Sequence, residues 1–164
     1  MHKLIVDLGE SEIIQAWGLE LKVATEIDEL VSECNLIITT TSAKGPLIRA
    51  DQVAKGTHIT AMGSDDYGKQ ELAADVLGLA DRVIADSISQ CVDHGECFHA
   101  VKAKEIEASS ILELGNVIKD PMLGRSSDDQ VTVADLTGVA IQDIQIAKMV
   151  NSLFRLDDKS LCSD

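Results

Sequence analysis

The chain has 164 residues, which is close to the size of one domain. Hydrophobic residues make up 45% of it and only two residues are prolines, and this composition excludes a disordered or low-complexity chain. Its 28 acidic and 14 basic residues give a net charge of −14, so polyphosphate backbones and anionic membrane surfaces are repelled. We therefore expect neither nucleic acid nor a membrane as a partner, and 164 residues are few for a complete enzyme with two substrates.

Short apolar runs alternate with helical stretches along the chain. The predicted strands cover 3–6, 19–24, 36–41, 58–62, 82–85 and 131–134. The predicted helices cover 11–17, 28–33, 51–54, 71–79, 87–94, 110–118 and 139–154. Most strand runs are continuous Val, Ile, Leu and Thr, which is typical of strands buried on both faces. The alternation predicts an α/β fold with a doubly wound, mainly parallel sheet and helices on both faces. The polar residues 155–164 predict a frayed C-terminal tail.

The N-terminal segment and the cysteines indicate a cytoplasmic protein. The apolar stretch at 3–6 is too short for a signal peptide, and no run approaches the ~20 residues that a membrane span requires. Cys34, Cys91, Cys97 and Cys162 form no CxxC pair, so we expect reduced thiols.

Four side chains of the kind that bind metals fall close together at Cys91, His94, Cys97 and His99. At this spacing the first three would lie along one face of a helix, where they could act as metal ligands. Structural zinc sites usually draw on two separated ligand pairs, and the sequence has no second pair. We therefore expect an ordinary helix and loop rather than a metal site.

Ligands of parallel sheets bind beyond the carboxyl ends of the strands, so the loop after the strand 58–62 is a candidate site. The segment THITAMGSDDYGKQEL (57–72) approaches the P-loop pattern, but Gln70 stands where that pattern needs Ser or Thr for magnesium. Two interpretations remain. Asp65 beside Lys69 suits proton chemistry. Alternatively, Gly63 and Gly68 supply positive φ in a turn, and Asp65 caps a helix that follows.

Two further loops lie at predicted strand ends. In the segment IITTTSAKGP (37–46) the predicted strand ends in four hydroxyl residues, which can bind a ligand's oxygens or cap the strand end. The segment RSSDDQVTVADLTGVAIQD (125–143) enters the long helix at Gly138. A glycine there allows a ligand to approach the helix N-terminus, or it permits tight packing of helix against sheet.

These segments together resemble the ornithine cyclodeaminase/mu-crystallin family, which includes an archaeal type of alanine dehydrogenase. The resemblance covers residues 18–153 and rests on the order and spacing of CNLIITTTSAKGPLI, KGTHITAMGSDDYGKQEL, HGE at 94–96, LELGNVI and GRSSDDQVTVADLTGVAIQD. It implies a Rossmann-type domain that binds NAD(H) or NADP(H) and an amino acid or imine substrate. It also implies a second domain for substrate binding and dimerisation, and hence a homodimer or larger assembly.

The resemblance assigns roles to individual residues. The family's G-x-D-x-x-G-K-x-E-L motif places its Asp at Asp65, which would orient water or shuttle the proton when an imine is hydrated or reduced. The same motif implies that Lys69 lies near cofactor and substrate. The residues implied to contact the cofactor are Ser42, Met62, Gly63, Ser64, Leu136 and Thr137.

The sequence also departs from the family pattern. The glycine fingerprint GxGxxG, which the family places upstream, is absent from the 164 residues, as are the family's substrate-binding Arg and Lys residues. Tyr67 stands where Pro is usual, Leu136 where Ser is usual and Ala134 where Phe is usual. Asp7 either stands in for the ribose-binding acid at a strand end or lies in a surface turn.

These departures lead us to expect the C-terminal half of a family member. Residues 1–154 would form a partial NAD(P)-binding domain that ends in the helix 139–154. We expect the cofactor portion of an ornithine cyclodeaminase-like enzyme, performing cyclodeamination or a related dehydrogenase or imine-reductase reaction, that is inactive alone. The alternative is a non-catalytic binding or self-association module.

Overall fold

A computed structural model of the chain describes residues 16–160, with side chains described through residue 154. The strands in this range are β1 (Leu36–Thr39), β2 (Lys44–Ile48), β3 (His58–Ala61), β4 (Gln70–Leu72), β5 (Arg82–Ala85), β6 (Leu112–Glu113) and β7 (Thr132–Asp135). The helices are α1 (Ile27–Glu33), α2 (Ala74–Leu79), α3 (Ile88–His94), α4 (Glu96–Ala103), α5 (Leu114–Lys119) and α6 (Ala140–Ser160). Three short 3-10 turns lie at Ala50–Gln52, Ala108–Ser110 and Pro121–Leu123. The predicted strand 3–6, Asp7, Cys162 and most of the predicted helix 11–17 lie outside the described residues.

Five strands form one parallel sheet in the order β1-β3-β7-β5-β6. The register pairs Ile59 with Ile37 on one side and with Val133 on the other. β2 and β4 form a separate parallel pair beside it. The prediction of a Rossmann-like, mainly parallel α/β sheet is confirmed.

One face of the main sheet carries the hydrophobic core. Ile59 and Val133 are fully buried there beneath α2 and α4, which contribute Val76, Leu77 and Ala100. β7 lies in the middle of the sheet and is buried along its whole length, which explains its continuous apolar run. The core therefore fixes the carboxyl ends of β3, β5 and β7 next to one another.

The other face of the sheet is covered only in part. α5 packs over its β5 side, where Leu114 and Val117 line a groove of about 520 Å³ with Ala134. On β1, however, Leu36 and Ile38 are each 60% exposed, so this strand alternates buried and exposed residues instead of being buried on both faces. Helices thus lie on both faces of the sheet, and the second face stays partly open.

Several predicted elements differ in the structure. The predicted strand 19–24 has no regular secondary structure, and no strand among residues 16–160 pairs with the outer edge of β1, where a further strand would extend the sheet. The predicted helix 71–79 begins only at α2, because residues 70–72 are extended and pair with β2. The predicted helix 110–118 divides into β6 and α5, and 51–54 gives only a 3-10 turn.

α6 begins one residue after the predicted start and continues to Ser160, into the segment predicted as a polar tail. Its side chains from Gln142 to Phe154 are all exposed. In the part of the chain that the structure describes, no helix combines the length and apolar character needed to cross a membrane.

Candidate functional site

A cleft of about 160 Å³ opens where the carboxyl ends of β3, β5 and β7 meet. Met62 directly follows β3, Asp86 directly follows β5 and Leu136 directly follows β7, and all three line the wall of the cleft. The remaining lining residues are Asp65, Thr137, Gly138 and Gln142. The cleft thus combines two apolar side chains, two carboxylates and the start of α6.

Asp65 forms an ion pair with Lys69, whose ammonium donates a hydrogen bond to the carboxylate. This bond holds the pKa of Asp65 below its ordinary value of 3.8, and it raises the pKa of Lys69. Asp65 is therefore ionised at neutral pH. An ionised carboxylate at a cleft can accept a proton or orient a water molecule.

The loop that carries this pair is closed by local hydrogen bonds. Gly68 has φ +77°, a backbone conformation that favours glycine, and it turns the chain back toward the sheet. The hydroxyl of Ser64 donates to the carbonyl of Lys69 at 2.9 Å, and Nε2 of His99 lies 2.9 Å from the same oxygen. The loop leads into β4 rather than a helix, so the alternative in which Asp65 caps a helix is wrong.

Tyr67 attaches the same loop to α3. Its hydroxyl donates to Asp93, and its ring lies 5.4 Å from the ring of His94. Nδ1 of His94 is 3.4 Å from the carboxylate of Asp93, and the charge of His94 also contributes to the lowered pKa of Asp65. The Tyr in place of the usual Pro therefore has partners of its own.

Asp86 connects the loops after β5 and β7. One oxygen accepts a hydrogen bond from the backbone N–H of Gly138 at 2.8 Å. The other accepts the backbone N–H of Ser87 at 2.8 Å and the hydroxyl of Thr137 at 3.3 Å. The sequence analysis did not single out this residue, although an acid directly after the apolar run 82–85 is a detectable signal.

Glu71 and Glu96 are buried carboxylates beneath the cleft. Glu71 accepts hydrogen bonds from the hydroxyl of Thr39 and from the backbone of the loops after β1 and β3. Glu96 accepts the backbone N–H groups of Glu71 at 2.7 Å and Leu72 at 3.1 Å. Burial outweighs these bonds and raises the pKa of Glu96 to about 8.

Asp135 is the third buried carboxylate, and two buried thiols lie beside it. It accepts the backbone N–H of Cys97 at 2.8 Å, and burial raises its pKa. Burial also raises the pKa of Cys91 to about 12 and that of Cys97 still further. Both thiols are thus protonated at neutral pH and poor nucleophiles.

The four residues weighed as metal ligands have different partners. Cys91 and Cys97 lie in this buried network, His94 contacts Asp93, and His99 contacts the carbonyl of Lys69. Among residues 16–160, no group of three or more His, Cys, Asp or Glu side chains is arranged to hold a metal ion.

The cleft brings together some of the predicted site residues and not others. Met62, Asp65, Leu136 and Thr137 line it, and Lys69 joins it through Asp65. Gly63 and Ser64 are buried behind its wall. Ser42 lies exposed in the loop between β1 and β2 and does not line the cleft. The roles assigned to these residues stay predictions.

The cleft fits one end of a dinucleotide. Sites for drug-sized ligands usually enclose about 300 Å³ or more, so 160 Å³ accommodates a ring rather than a whole cofactor. The apolar side chains of Met62 and Leu136 suit the flat ring of a nicotinamide. The sequence contains no GxGxxG turn to cradle the pyrophosphate.

Comparison with known proteins gives a consistent result. The sequence model of the "Ornithine cyclodeaminase/mu-crystallin family" matches residues 10–156. Iminosuccinate reductase of Paracoccus denitrificans is 41% identical over 130 residues, which are 79% of this chain and 40% of that protein. Alanine dehydrogenase of Archaeoglobus fulgidus is 39% identical over 123 residues, 74% of this chain and 38% of that protein.

Solved structures show the same relationship. The crystal structure of the P. denitrificans reductase in complex with NAD⁺ superposes with a TM-score of 0.79 at 38% identity, covering 88% of this chain and 44% of that one. An archaeal alanine dehydrogenase dimer with bound NAD gives 0.76 at 35% identity, covering 87% of this chain and 45% of that one. The chain thus spans about two fifths of the relatives that it matches.

Proposed function

This chain belongs to the ornithine cyclodeaminase/mu-crystallin family, and we propose that it forms the nicotinamide-contacting part of an NAD(P)-dependent enzyme that acts on an amino acid or an imine. The observation that carries the proposal is the Asp65–Lys69 pair at the end of β3, beside a cleft walled by Met62 and Leu136. The related structures with bound NAD support the choice of cofactor.

The chemistry divides between cofactor and protein. When bound, the nicotinamide exchanges a hydride with the carbon that carries the nitrogen of the substrate. Asp65, ionised through its bond from Lys69, orients the water that hydrates a C=N bond or accepts a proton from it. Met62 and Leu136 would lie beside the bound ring and would limit the access of water to it. We propose that this chain alone lacks turnover, since orientation of both reactants contributes ~7–11 kcal/mol to barrier lowering and the pyrophosphate cradle is absent.

A second candidate function is a non-catalytic module that self-associates. Leu136 favours it, because an alkyl side chain cannot donate the hydrogen bond of the family's usual Ser. The apolar side of α6 also favours it, with exposed Ile146, Met149, Val150, Leu153 and Phe154. In either case we propose a homodimer or larger assembly. A relative with 35% identity is a dimer, and an apolar stripe of the size seen on α6 rarely remains exposed to solvent in a monomer.

Titration of the purified chain with NADH and with NADPH separates the two functions. Cofactor fluorescence is followed over about 1 µM to 1 mM, the range of weak to moderate affinity. Saturable binding of at least one cofactor supports the first proposal, and its absence for both would leave the self-association module. Asp65→Asn should keep the affinity within about twofold, and the neighbouring exposed Asp66→Asn serves as the matched control.

A further inference from the structure

We propose that Glu71 is a positioning residue of this cleft, whose buried carboxylate fixes the two loops after β1 and β3 relative to each other. The effect on the cofactor rests on the proposed function, while the effect on the loops does not. Glu71 contacts no cleft atom itself and acts through the backbone of its neighbours.

The carboxylate of Glu71 is fully buried and has three donors. One oxygen accepts the backbone N–H of Thr41 at 2.5 Å, in the loop after β1. The other accepts the backbone N–H of Gly63 at 2.8 Å, in the loop after β3, and the hydroxyl of Thr39 at 2.6 Å. A single side chain therefore satisfies donors from both loops.

This arrangement requires a carboxylate rather than an amide. An ionised carboxylate accepts at both oxygens, and bonds to a charged acceptor are about twice as strong as neutral ones. A glutamine would accept at one position and present an N–H group at the other. Its amide would then face the N–H of either Thr41 or Gly63, and one of the two loops would lose its attachment.

Gly63 packs directly against the loop after β1 and against the carboxylate of Glu71. A Cβ atom at this position would collide with the backbone oxygen of Thr41 and with the carboxylate of Glu71. The backbone of Glu71 is fixed as well, because its N–H donates to the buried carboxylate of Glu96 at 2.7 Å, at the start of α4. The two loops, Glu71 and α4 thus form one connected unit.

The loop after β3 transmits any movement directly to the cleft. Met62 precedes Gly63 and lines the cleft, and Asp65 follows two residues later. Loss of the bond to Gly63 would therefore displace both the apolar wall and the ionised carboxylate. Because misplacement of ~1 Å weakens a preorganised site, Glu71 controls a cleft that it does not touch.

The first test compares Glu71→Gln with a matched carboxylate at the opposite end of the sheet. Asp81 accepts the backbone N–H of Val131 at 2.8 Å, before β7 begins, so Asp81→Asn makes the same carboxylate-to-amide change far from the cleft. We expect Glu71→Gln to weaken NADH binding by about tenfold. Asp81→Asn should leave the affinity within about twofold of that of the original chain. Equal affinities of the two variants would overturn the proposal.

Thr39 provides a second pair of variants with a smaller disturbance. Thr39→Val is close in shape but removes the hydroxyl that donates to Glu71 at 2.6 Å, and Thr39→Ser keeps it. The Val variant should bind NADH more weakly by about threefold to tenfold, and the Ser variant should bind as the original chain does. If the Ser variant loses as much affinity as the Val variant, the hydroxyl bond has no role and the proposal fails.

Amide hydrogen exchange tests the positioning without a cofactor. The N–H groups of Thr41 and Gly63 should exchange at least about tenfold faster in Glu71→Gln and remain unchanged in Asp81→Asn. Absence of saturable NADH binding in the original chain would refute the proposed function alone. Unchanged exchange rates in Glu71→Gln would refute the positioning role, whatever the binding result.

Discussion

The carboxylate of Asp86 accepts the backbone N–H of Gly138 at 2.8 Å and thereby joins the end of β5 to the segment just before α6. Gly138 has φ +83°, which a glycine adopts without strain. The side-chain amide of Gln90 donates to the carbonyl of the same glycine at 3.1 Å. The direction in which α6 leaves the sheet is thus set by residues of the β5–α3 segment.

Removal of Asp86 should loosen this junction. Asp86→Ala removes the acceptor of four donors, namely the backbone N–H groups of Ser87 and Gly138, the hydroxyl of Thr137 and the thiol of Cys91, and we expect the free energy of unfolding to fall by about 1–3 kcal/mol. Urea denaturation measures the change. Glu107→Ala, at an exposed position, is the control and should stay within about 0.5 kcal/mol. Equal stability of the two variants would show that the junction contributes nothing.

The ion pair of Asp65 makes a titration prediction. In Lys69→Met the pKa of Asp65 should rise from its lowered position toward the ordinary value of 3.8, because the hydrogen bond from Lys69 is the main cause of the shift. Carbon-13 NMR of the side-chain carboxyl over the acid range measures this pKa. Lys119→Met, at an exposed position on α5, should leave it unaltered. An unchanged pKa in Lys69→Met would contradict the pairing.

Glu96 should make stability depend on pH. Its pKa is about 8 in the folded protein and near 4.5 when unfolded, so between these values the folded state holds a proton that the unfolded state lacks. The free energy of unfolding should therefore fall as pH rises from about 5 to 8, by at most about 1.4 kcal/mol per pH unit from this group.

The same urea series tests the source of this slope. Glu96→Gln imitates the neutral acid and should flatten the fall of stability with pH. A residual slope of the same sign is expected from Asp135, whose pKa is also raised by burial. Glu107→Gln should retain the full slope, and a Glu96→Gln variant that also retains it would rule out Glu96 as the cause.

The apolar side of α6 should mediate self-association. We expect light scattering to show a dimer or larger species, and we expect Leu153→Glu to shift it toward a 17.6 kDa monomer because a charge enters the apolar stripe. Lys148→Gln makes the net charge more negative by the same amount on the opposite side of the helix and should leave the assembly intact. A monomer of the original chain at high concentration would contradict the prediction.

Leu136 should limit cofactor affinity. Leu136→Ser restores the hydroxyl of the family pattern at the cleft wall, and one added hydrogen bond should tighten NADH binding by about fivefold. Leu136→Ala removes the alkyl group without adding a donor and should show no such gain. Fluorescence titration of both variants gives the comparison. Equal affinities would mean that the side chain at this position does not face the cofactor.

Four strands of the main sheet followed from local sequence pattern. The runs 36–41, 58–62, 82–85 and 131–134 each contain one of them, because β-branched and aliphatic residues favour strands, although β1 is buried on one face only. Glu71 was predicted to be helical, since Glu, Leu and Ala favour helices locally. In the structure it lies in β4, which pairs with β2, and its carboxylate accepts hydrogen bonds from the loops after β1 and β3.

The sequence by itself determined the parallel α/β fold, the family and the loop that carries Asp65 and Lys69, because these depend on local periodicity and on motifs within short segments. Only the tertiary structure decided which carboxylates are buried and what they hold. Glu71 meets Thr39 across 32 residues, and Asp86 meets Gly138 across 52. Such convergence depends on how the sheet brings separate strand ends to one edge, and no local pattern of residues encodes it.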